Sequence, residues 1–290
     1  MSVVEPCTRH ATTAAVRAGI DSDLAHGAVV PPIVLSSNFS FAAYGEKRCY
    51  DYSRSGNPTR DLLADALAEL EGGAGGVVVS SGMAAVALVL QLLQPGDRLV
   101  VPHDCYGGSW RLFNALAARG HFVLETIDLT DPQALTRALL HRPKMVWIET
   151  PSNPLLRITD IRFVAAAAHR VGALVVTDNT FLSPALQNPI ALGADLVVHS
   201  TTKYINGHSD VVGGAVVAAD TALHAQLVWW ANALGLTGSP FDSFLTLRGL
   251  RTLDARLRVH QENAAAIAQL LESHAAVAAV HFPGCVSHPG

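Results

Sequence analysis

The chain has 290 residues, and half of them are hydrophobic, which is enough to close a sizeable core. Charged residues make up 15% of the chain and the formal net charge is −4, so the composition excludes a strongly basic surface for nucleic acid or an anionic membrane. The low charged fraction also predicts extra buried surface, inside the fold or against another subunit.

Residues 1–59 carry several glycines and prolines and show little periodicity. This pattern predicts an extended N-terminal arm that reaches a neighbouring subunit. Near Pro58 an amphipathic pattern begins, and it continues to Glu71, just before Gly72 and Gly73. A proline at the start and glycines at the end are typical of a helix.

Over residues 60–240 apolar strands alternate with amphipathic helices. The predicted strands are 77–80, 99–101, 123–127, 145–149, 174–177, 196–198 and 215–218. The predicted helices are 58–71, 84–93, 111–118, 132–140 and 161–171. Strands that are apolar throughout and alternate with helices predict an α/β fold with a mostly parallel sheet that helices cover on both faces.

Beyond residue 240 one long amphipathic helix is predicted to run to about residue 274. Alternating apolar residues then predict a strand over 277–282. The N-terminus has no basic segment followed by an apolar one, so no signal peptide is expected.

The four cysteines and 13 histidines show no spacing that is typical of disulfide frameworks or metal ligands. We therefore expect reduced thiols in the cytoplasm and no metal site.

Polar residues follow five of the predicted strands, where parallel strands meet at one edge of the sheet. Ligands of open α/β sheets bind at this edge. The polar groups are Ser80 to Met83, Asp104 to Gly108, Ser152 and Asn153, Asp178 and Asn179, and Ser200 to Lys203. Each group also has a plainer interpretation as a helix cap, a turn or loop packing.

Lys203 is the most informative of these residues, because the chain contains only three lysines. Lys47 and Lys144 have ordinary solvated neighbours, whereas Lys203 follows an apolar strand and has no carboxylate between Asp195 and Asp210. Burial is expected to lower the pKa of Lys203 and to free its amine for nucleophilic attack. An aldehyde cofactor would remove the cost of a buried charge by forming an imine with this amine.

The other polar groups match the parts of pyridoxal phosphate. Asp178 can keep a pyridine nitrogen protonated, and Tyr106 can stack on the ring. Backbone N–H groups and hydroxyls suited to a phosphate dianion are found at Gly82, Met83, Ser200 and Thr202.

Six motifs occur in order: DYSRSGNPTR, SSGMAA, HDCYGGSWRLF, PSNPLLRITDI, VTDNTFLSPALQNP and HSTTKYINGHSDVVGG. In this combination the sequence resembles the Cys/Met-metabolism family of pyridoxal-phosphate enzymes over nearly its whole length. The resemblance implies a PLP-dependent transferase type I fold, like that of aspartate aminotransferase, with pyridoxal 5'-phosphate as cofactor. It also implies that residues 60–240 form the cofactor-binding large domain, and that residues 241–290 begin a C-terminal domain that is truncated here.

The resemblance implies a role for each matching residue. Lys203 would hold the cofactor as an imine, Asp178 would pair with its ring nitrogen and Tyr106 would stack on its face. Asn153 would bind the phenolic oxygen. The phosphate would be held by Gly82, Met83, Ser200 and Thr202, joined by Tyr52 and Arg54 from the arm of a neighbouring subunit. Shared sites of this kind imply a homotetramer built from dimers.

Within the family, residues 103–113, 151–157 and 229–253 most resemble bacterial enzymes of methionine biosynthesis that act by γ-replacement. These enzymes join an O-acyl-homoserine, typically O-succinyl-homoserine, to cysteine and give cystathionine. Arg111 is a candidate for binding a substrate carboxylate, with a surface salt bridge as the alternative. Ser55 stands where some of these enzymes carry a second arginine, so the acyl group stays open.

Three alternatives also stay open. Family members that catalyse γ-elimination share every cofactor residue named above. A truncated chain can act only as an inactive oligomerisation partner. An α/β binding protein without covalent chemistry is the third possibility.

Overall fold

The computed structural model describes residues 10–289, in which seven strands form one sheet in the order β1-β7-β6-β5-β4-β2-β3. The strands are β1 (Gly75–Val79), β2 (Arg98–Pro102), β3 (Val123–Ile127), β4 (Met145–Glu149), β5 (Leu174–Asp178), β6 (Leu196–His199) and β7 (Gly214–Ala218). The predicted strand positions from β1 to β7 are therefore confirmed, within two residues at each end.

The helices lie between and beyond these strands. They are α1 (Ala11–Arg17), α2 (Pro58–Glu71), α3 (Gly82–Leu90), α4 (Gly107–Ala118), α5 (Pro132–Leu139), α6 (Ile161–His169), α7 (Ser183–Leu186), α8 (Thr221–Leu234), α9 (Pro240–Leu250) and α10 (Leu253–Glu272), with a 3₁₀ turn at Ile190–Leu192. No helix within residues 10–289 is long and apolar enough to cross a bilayer.

The sheet is mostly parallel, as the sequence predicts. Strands β2 to β6 pair in parallel, and only β7 runs antiparallel to its neighbours β1 and β6. The register places Glu149 opposite Asp178, and Asp178 opposite Val198. The carboxyl ends of β4, β5 and β6 therefore meet at one edge, and the loops that follow them are neighbours.

Helices cover both faces of the sheet. One face packs α3, α4 and α8 against side chains such as Trp147 and Val198. The other face packs α2 and α9 at the β1 end, and α5 and α6 at the β4 end. Because both faces are buried, the strands are apolar on both sides, which explains their continuous hydrophobic runs.

Local sequence signals fix the ends of the early helices. The side chain of Asn57 caps α2 by accepting hydrogen bonds from the N–H groups of Thr59 and Arg60, and Pro58 occupies the first helical position. Gly72 ends this helix with a left-handed backbone (φ 73°).

Part of the predicted N-terminal arm is not extended. Helix α1 places Ala14, Ala15 and Ala18 in the same buried cluster as Leu67 of α2 and Leu247 of α9. Small apolar residues in a seven-residue helix leave too little periodicity for the sequence to reveal it. Residues 1–9 of the predicted arm lie outside the described residues.

The prediction of one helix from residue 241 to about 274 is wrong, because a two-residue turn at Arg251 and Thr252 separates α9 from α10. The Gly249 carbonyl at this break accepts hydrogen bonds from Thr252 Oγ1 at 3.2 Å and from Arg256 Nη2 at 2.8 Å. Side chains therefore donate hydrogen bonds to a backbone carbonyl at the end of α9, where intrahelical donors run out.

The predicted strand over 277–282 is absent, and α8 is a helix that the sequence analysis did not assign. A strand requires hydrogen bonds from a neighbouring strand, and residues 277–282 have no such partner in the described sheet.

The first prediction concerns the core. Leu67 is fully buried under the sheet, so Leu67→Ala is expected to lower the free energy of unfolding by about 2–5 kcal/mol. Leu140 is 77% exposed, and Leu140→Ala is expected to change the free energy of unfolding by less than about 0.5 kcal/mol. Urea unfolding followed by circular dichroism measures both changes, and equal effects would contradict the packing described here.

Candidate active site

A cavity of ≈ 1000 Å³ lies at the edge of the sheet where β4, β5 and β6 end. Its volume is at the upper end of the range for small-molecule sites. The cavity brings together eight of the residues predicted from sequence: Gly82, Met83, Tyr106, Asn153, Asp178, Ser200, Thr202 and Lys203.

One end of the cavity is built to hold an anion. Helix α3 begins there, and the N–H groups of Gly82 and Met83 belong to its first turn, where no intrahelical acceptor is available. A Cβ atom on Gly82 would lie 2.7 Å from Ser200 Cβ, so only glycine allows these two loops to approach so closely. Free N–H groups beside the Ser200 hydroxyl form a cradle for a phosphate.

Thr180 and Thr202 stabilise the loops around this cradle. Thr180 Oγ1 accepts a hydrogen bond from Ser200 N–H at 2.9 Å, and the Thr180 N–H donates to Asp178 Oδ1 at 3.1 Å. The Thr202 hydroxyl donates to the Gly213 carbonyl at 3.1 Å and accepts from the Gly213 N–H at 3.0 Å. Thr202 therefore already uses its only hydroxyl proton within the chain.

Two carboxyl groups form the acidic part of the cavity wall, Asp178 at the end of β5 and Glu149 at the end of β4. Burial, followed by the nearby charge of Asp178, raises the pKa of Glu149 to about 8. Burial also raises the pKa of Asp178 above its ordinary value, while hydrogen bonds from Thr180 and the charge of His199 oppose this. Near neutral pH the pair therefore carries less than two full negative charges.

An aromatic wall stands beside the carboxyl groups. The Tyr106 side chain is 47% exposed and covers Gly108, where an added Cβ would lie 2.5 Å from Tyr106 Cε1 and 3.0 Å from Met83 Sδ. Ser109 also lines the cavity, and its buried hydroxyl has no hydrogen-bond partner in the described residues. A buried hydroxyl without a partner is unusual in a folded protein and indicates a ligand or a water.

Lys203 lines the cavity, but the prediction that it is buried is wrong. It is exposed, and it lies in the turn that follows β6 at the rim of the cavity. No carboxylate of residues 10–289 lies within 4.0 Å of the Lys203 ammonium.

Asn153 lies in a loop that hydrogen bonds hold on both sides. Ser152 Oγ donates to Asp104 Oδ2 at 2.6 Å, which ties this loop to the one that follows β2. On the far side Arg157 Nη2 donates to Asp128 Oδ2 at 2.6 Å. These contacts fix the wall of the cavity on which Asn153 lies.

Three predicted residues do not line this cavity. Tyr52 is 49% exposed, and Arg54 is exposed and donates to the Asn232 carbonyl at 3.2 Å. Arg111 lies on the exposed side of α4, with its guanidinium near Gly107, and forms no ion pair with the described residues. The roles of all three stay predictions.

The sequence analysis missed several residues of the cavity wall. Glu149 is the most important, and its signal was visible, because it ends an apolar strand as Asp178 does. Others come from loops, from α4 and from α10, where no local pattern marks them: Ser109, Thr180, Tyr204, Asp210 and His260.

The cavity fits pyridoxal phosphate. The cradle at Gly82 and Ser200 suits its phosphate, and the acidic wall suits a protonated ring nitrogen. The amine of Lys203 lies in the same cavity, within reach of a bound aldehyde. Tyr106 offers an exposed aromatic face.

Comparisons with known proteins agree with this chemistry. A family model described as "Cys/Met metabolism PLP-dependent enzyme" matches residues 12–290. The chain is 55% identical to a cystathionine γ-synthase of Escherichia coli K12 over 284 residues, which cover 98% of this chain and 74% of that protein. It is 45% identical to a cystathionine β-lyase of Coxiella burnetii over 282 residues, which cover 97% and 73%.

The fold also matches solved structures. A cystathionine γ-synthase from Xanthomonas oryzae pv. oryzae, crystallised in complex with aminoacrylate and cysteine, has a TM-score of 0.96 and 76% sequence identity to this chain. That match covers 98% of this chain and 73% of the other.

The second prediction tests the cradle. Because a Cβ at position 82 would displace Ser200, Gly82→Ala is expected to weaken the binding of pyridoxal phosphate at least about tenfold, a loss of roughly 1.4 kcal/mol. Gly107→Ala is the matched control, since an added Cβ there meets only the Arg111 guanidinium at 3.6 Å. Absorbance titration with pyridoxal phosphate measures both, and unchanged binding by Gly82→Ala would contradict the cradle.

Proposed function

Because the chain belongs to the family of Cys/Met metabolism PLP-dependent enzymes, with pyridoxal 5'-phosphate as its cofactor, we propose that it catalyses γ-replacement. The substrates are an O-acyl-homoserine, first of all O-succinyl-homoserine, and L-cysteine, and the products are cystathionine and the free acyl acid. The observation that favours this reaction is the 76% identity to a cystathionine γ-synthase in complex with aminoacrylate and cysteine.

The cofactor supplies an aldehyde that binds an amino group and a ring that withdraws electrons from the substrate's Cα–H bond. Gly82, Met83 and Ser200 bind its phosphate in the cradle, and Asp178 holds its ring nitrogen in the protonated form. Tyr106 covers one face of the ring, and Asn153 binds its phenolic oxygen.

Lys203 moves the protons of the reaction. Its Nζ atom, once free, takes the proton from the substrate's Cα and then exchanges protons at Cβ. The exposed position of Lys203 at the cavity rim leaves its side chain room for these movements. The Cγ–O bond to the acyl group breaks, and a bond from Cγ to the cysteine sulfur forms. The thiol proton is released, and the acyl group leaves as a carboxylate.

We further propose a homotetramer of dimers in the cytoplasm. Tyr52 and Arg54 are exposed and lie outside the cavity of their own chain, which suits a role in the cavity of a neighbouring subunit. Cys49, Cys105 and Cys285 are free thiols, as expected in a reducing compartment. Arg111 remains our candidate for a substrate carboxylate.

A second candidate reaction is elimination from cystathionine. The 45% identity to a cystathionine β-lyase favours β-elimination, and γ-elimination also requires the same cofactor residues. The difference between these reactions lies in the part of the pocket that binds the substrate, which the cofactor residues do not define.

The third prediction separates the reactions by their products. With O-succinyl-homoserine and cysteine we expect cystathionine and succinate, with no cystathionine when cysteine is omitted. With cystathionine alone, β-elimination would give homocysteine, pyruvate and ammonia, and γ-elimination would give cysteine, 2-oxobutanoate and ammonia. Mass spectrometry identifies the products. Turnover of cystathionine when it is supplied as the sole substrate would contradict the proposed γ-replacement.

The fourth prediction tests Lys203. Lys203→Ala is expected to lose the visible absorbance of the covalently bound aldehyde, because the variant has no amine at this position. Lys144→Ala is the control, since Lys144 is exposed and distant from the cavity lining. Borohydride reduction followed by peptide mapping should place the cofactor on the peptide that contains Lys203. The label on any other peptide would remove Lys203 from this role.

A further inference from the structure

Glu149 lies at the centre of the cavity wall and contacts a residue of the cofactor site directly. It is 6% exposed, and its Oε2 atom accepts a hydrogen bond from the Tyr106 backbone N–H at 2.6 Å. This bond is shorter than the roughly 2.9 Å that is usual for N–H···O hydrogen bonds. Glu149 therefore joins the end of β4 to the start of α4.

This contact controls where the Tyr106 ring lies. Tyr106 is the residue before the first turn of α4, and its own side chain makes no capping hydrogen bond. The ring lies over Gly108, and the residue is 47% exposed. With little else to hold it, the ring depends on the anchored backbone N–H for its position.

Glu149 also lies among other acidic groups. Asp178 lies opposite it on β5, and Asp104 and the buried Cys105 thiol lie on the loop after β2. Lys203 lines the same cavity from the loop after β6. In these surroundings a carboxyl group at position 149 is stabilised in its protonated form, and a second full negative charge beside Asp178 is avoided.

We propose that Glu149 is a positioning residue of the cofactor site: it holds the Tyr106 ring in place through the backbone N–H, and it adds no negative charge beside Asp178. This inference rests on the proposed function, because the Tyr106 ring has a role only when the cofactor is bound. It adds to the site a residue that acts through Tyr106 and Asp178 rather than on the substrate.

A double-mutant cycle tests the link to Tyr106. Glu149→Ala removes the acceptor and should weaken the binding of pyridoxal phosphate about tenfold, whereas Glu149→Gln retains an acceptor oxygen and should stay within about threefold of wild type. In a Tyr106→Ala background, Glu149→Ala should weaken binding less than about twofold further. An equal loss in both backgrounds would refute positioning through the ring, as would no loss at all.

Glu69→Ala and Glu69→Gln are the matched controls, because Glu69 is exposed on α2 and is distant from the cavity lining. Circular dichroism establishes that each variant is folded. If Glu149→Ala does not fold, the pH measurement on Glu149→Gln decides.

The neutral form of Glu149 is tested on the cofactor-free protein. Between its ordinary pKa of 4.5 and about 8, Glu149 binds more protons in the folded chain than in the unfolded chain. The folded state therefore loses stability as the pH rises through this window. Glu149→Gln removes this loss, so its midpoint temperature should exceed that of wild type at pH 8.5, by a margin that disappears at pH 5. A difference that does not change with pH would show that Glu149 is charged beside Asp178 and would overturn this part of the proposal.

The two proposals fail in different ways. Wild-type protein that does not bind pyridoxal phosphate would refute the proposed function. The thermal measurements require no cofactor, so they would still decide whether Glu149 is uncharged beside Asp178.

Discussion

The parallel register of β4, β5 and β6 is the constraint on which the site depends. Parallel pairing aligns the strand ends, so Glu149, Asp178 and the start of the Ser200 loop meet at one edge although 51 positions separate the first from the last. The antiparallel strand β7 closes the other side, where the Gly213 backbone pairs with Thr202. Each polar group is thereby held by a buried strand and needs no long loop to reach the cavity.

The second organising feature is the separation of charge within this cavity. Free N–H groups at the start of α3 favour an anion at one end, and the carboxyl groups of Glu149 and Asp178 favour a cation or a shared proton at the other. A cofactor that carries a phosphate and a basic ring nitrogen matches both ends at once. Lys203 lines the same cavity, and its amine would react with the aldehyde of such a cofactor.

The differences between expectation and structure arise where a local pattern was extended beyond its element. Lys203 was expected to be buried because an apolar strand precedes it, but it lies in the turn after β6 and is exposed. The helical pattern after residue 240 continues through Arg251 and Thr252, although Arg251 bonds to the Ala18 carbonyl and the backbone turns there. At Arg251 a contact between distant segments accompanies the break in the local pattern.

The sequence by itself determined the alternation of strands and helices, the mostly parallel sheet, the family, and eight of the residues that line the cavity, because periodicity and short motifs are local properties. Only the tertiary structure decided that Glu149 holds the Tyr106 backbone, that Thr202 is already paired with Gly213, and that Gly82 must be a glycine opposite Ser200. These contacts join residues that lie between 11 and 118 positions apart in the chain. No local pattern encodes such contacts, since they exist only once the sheet has brought the strand ends together.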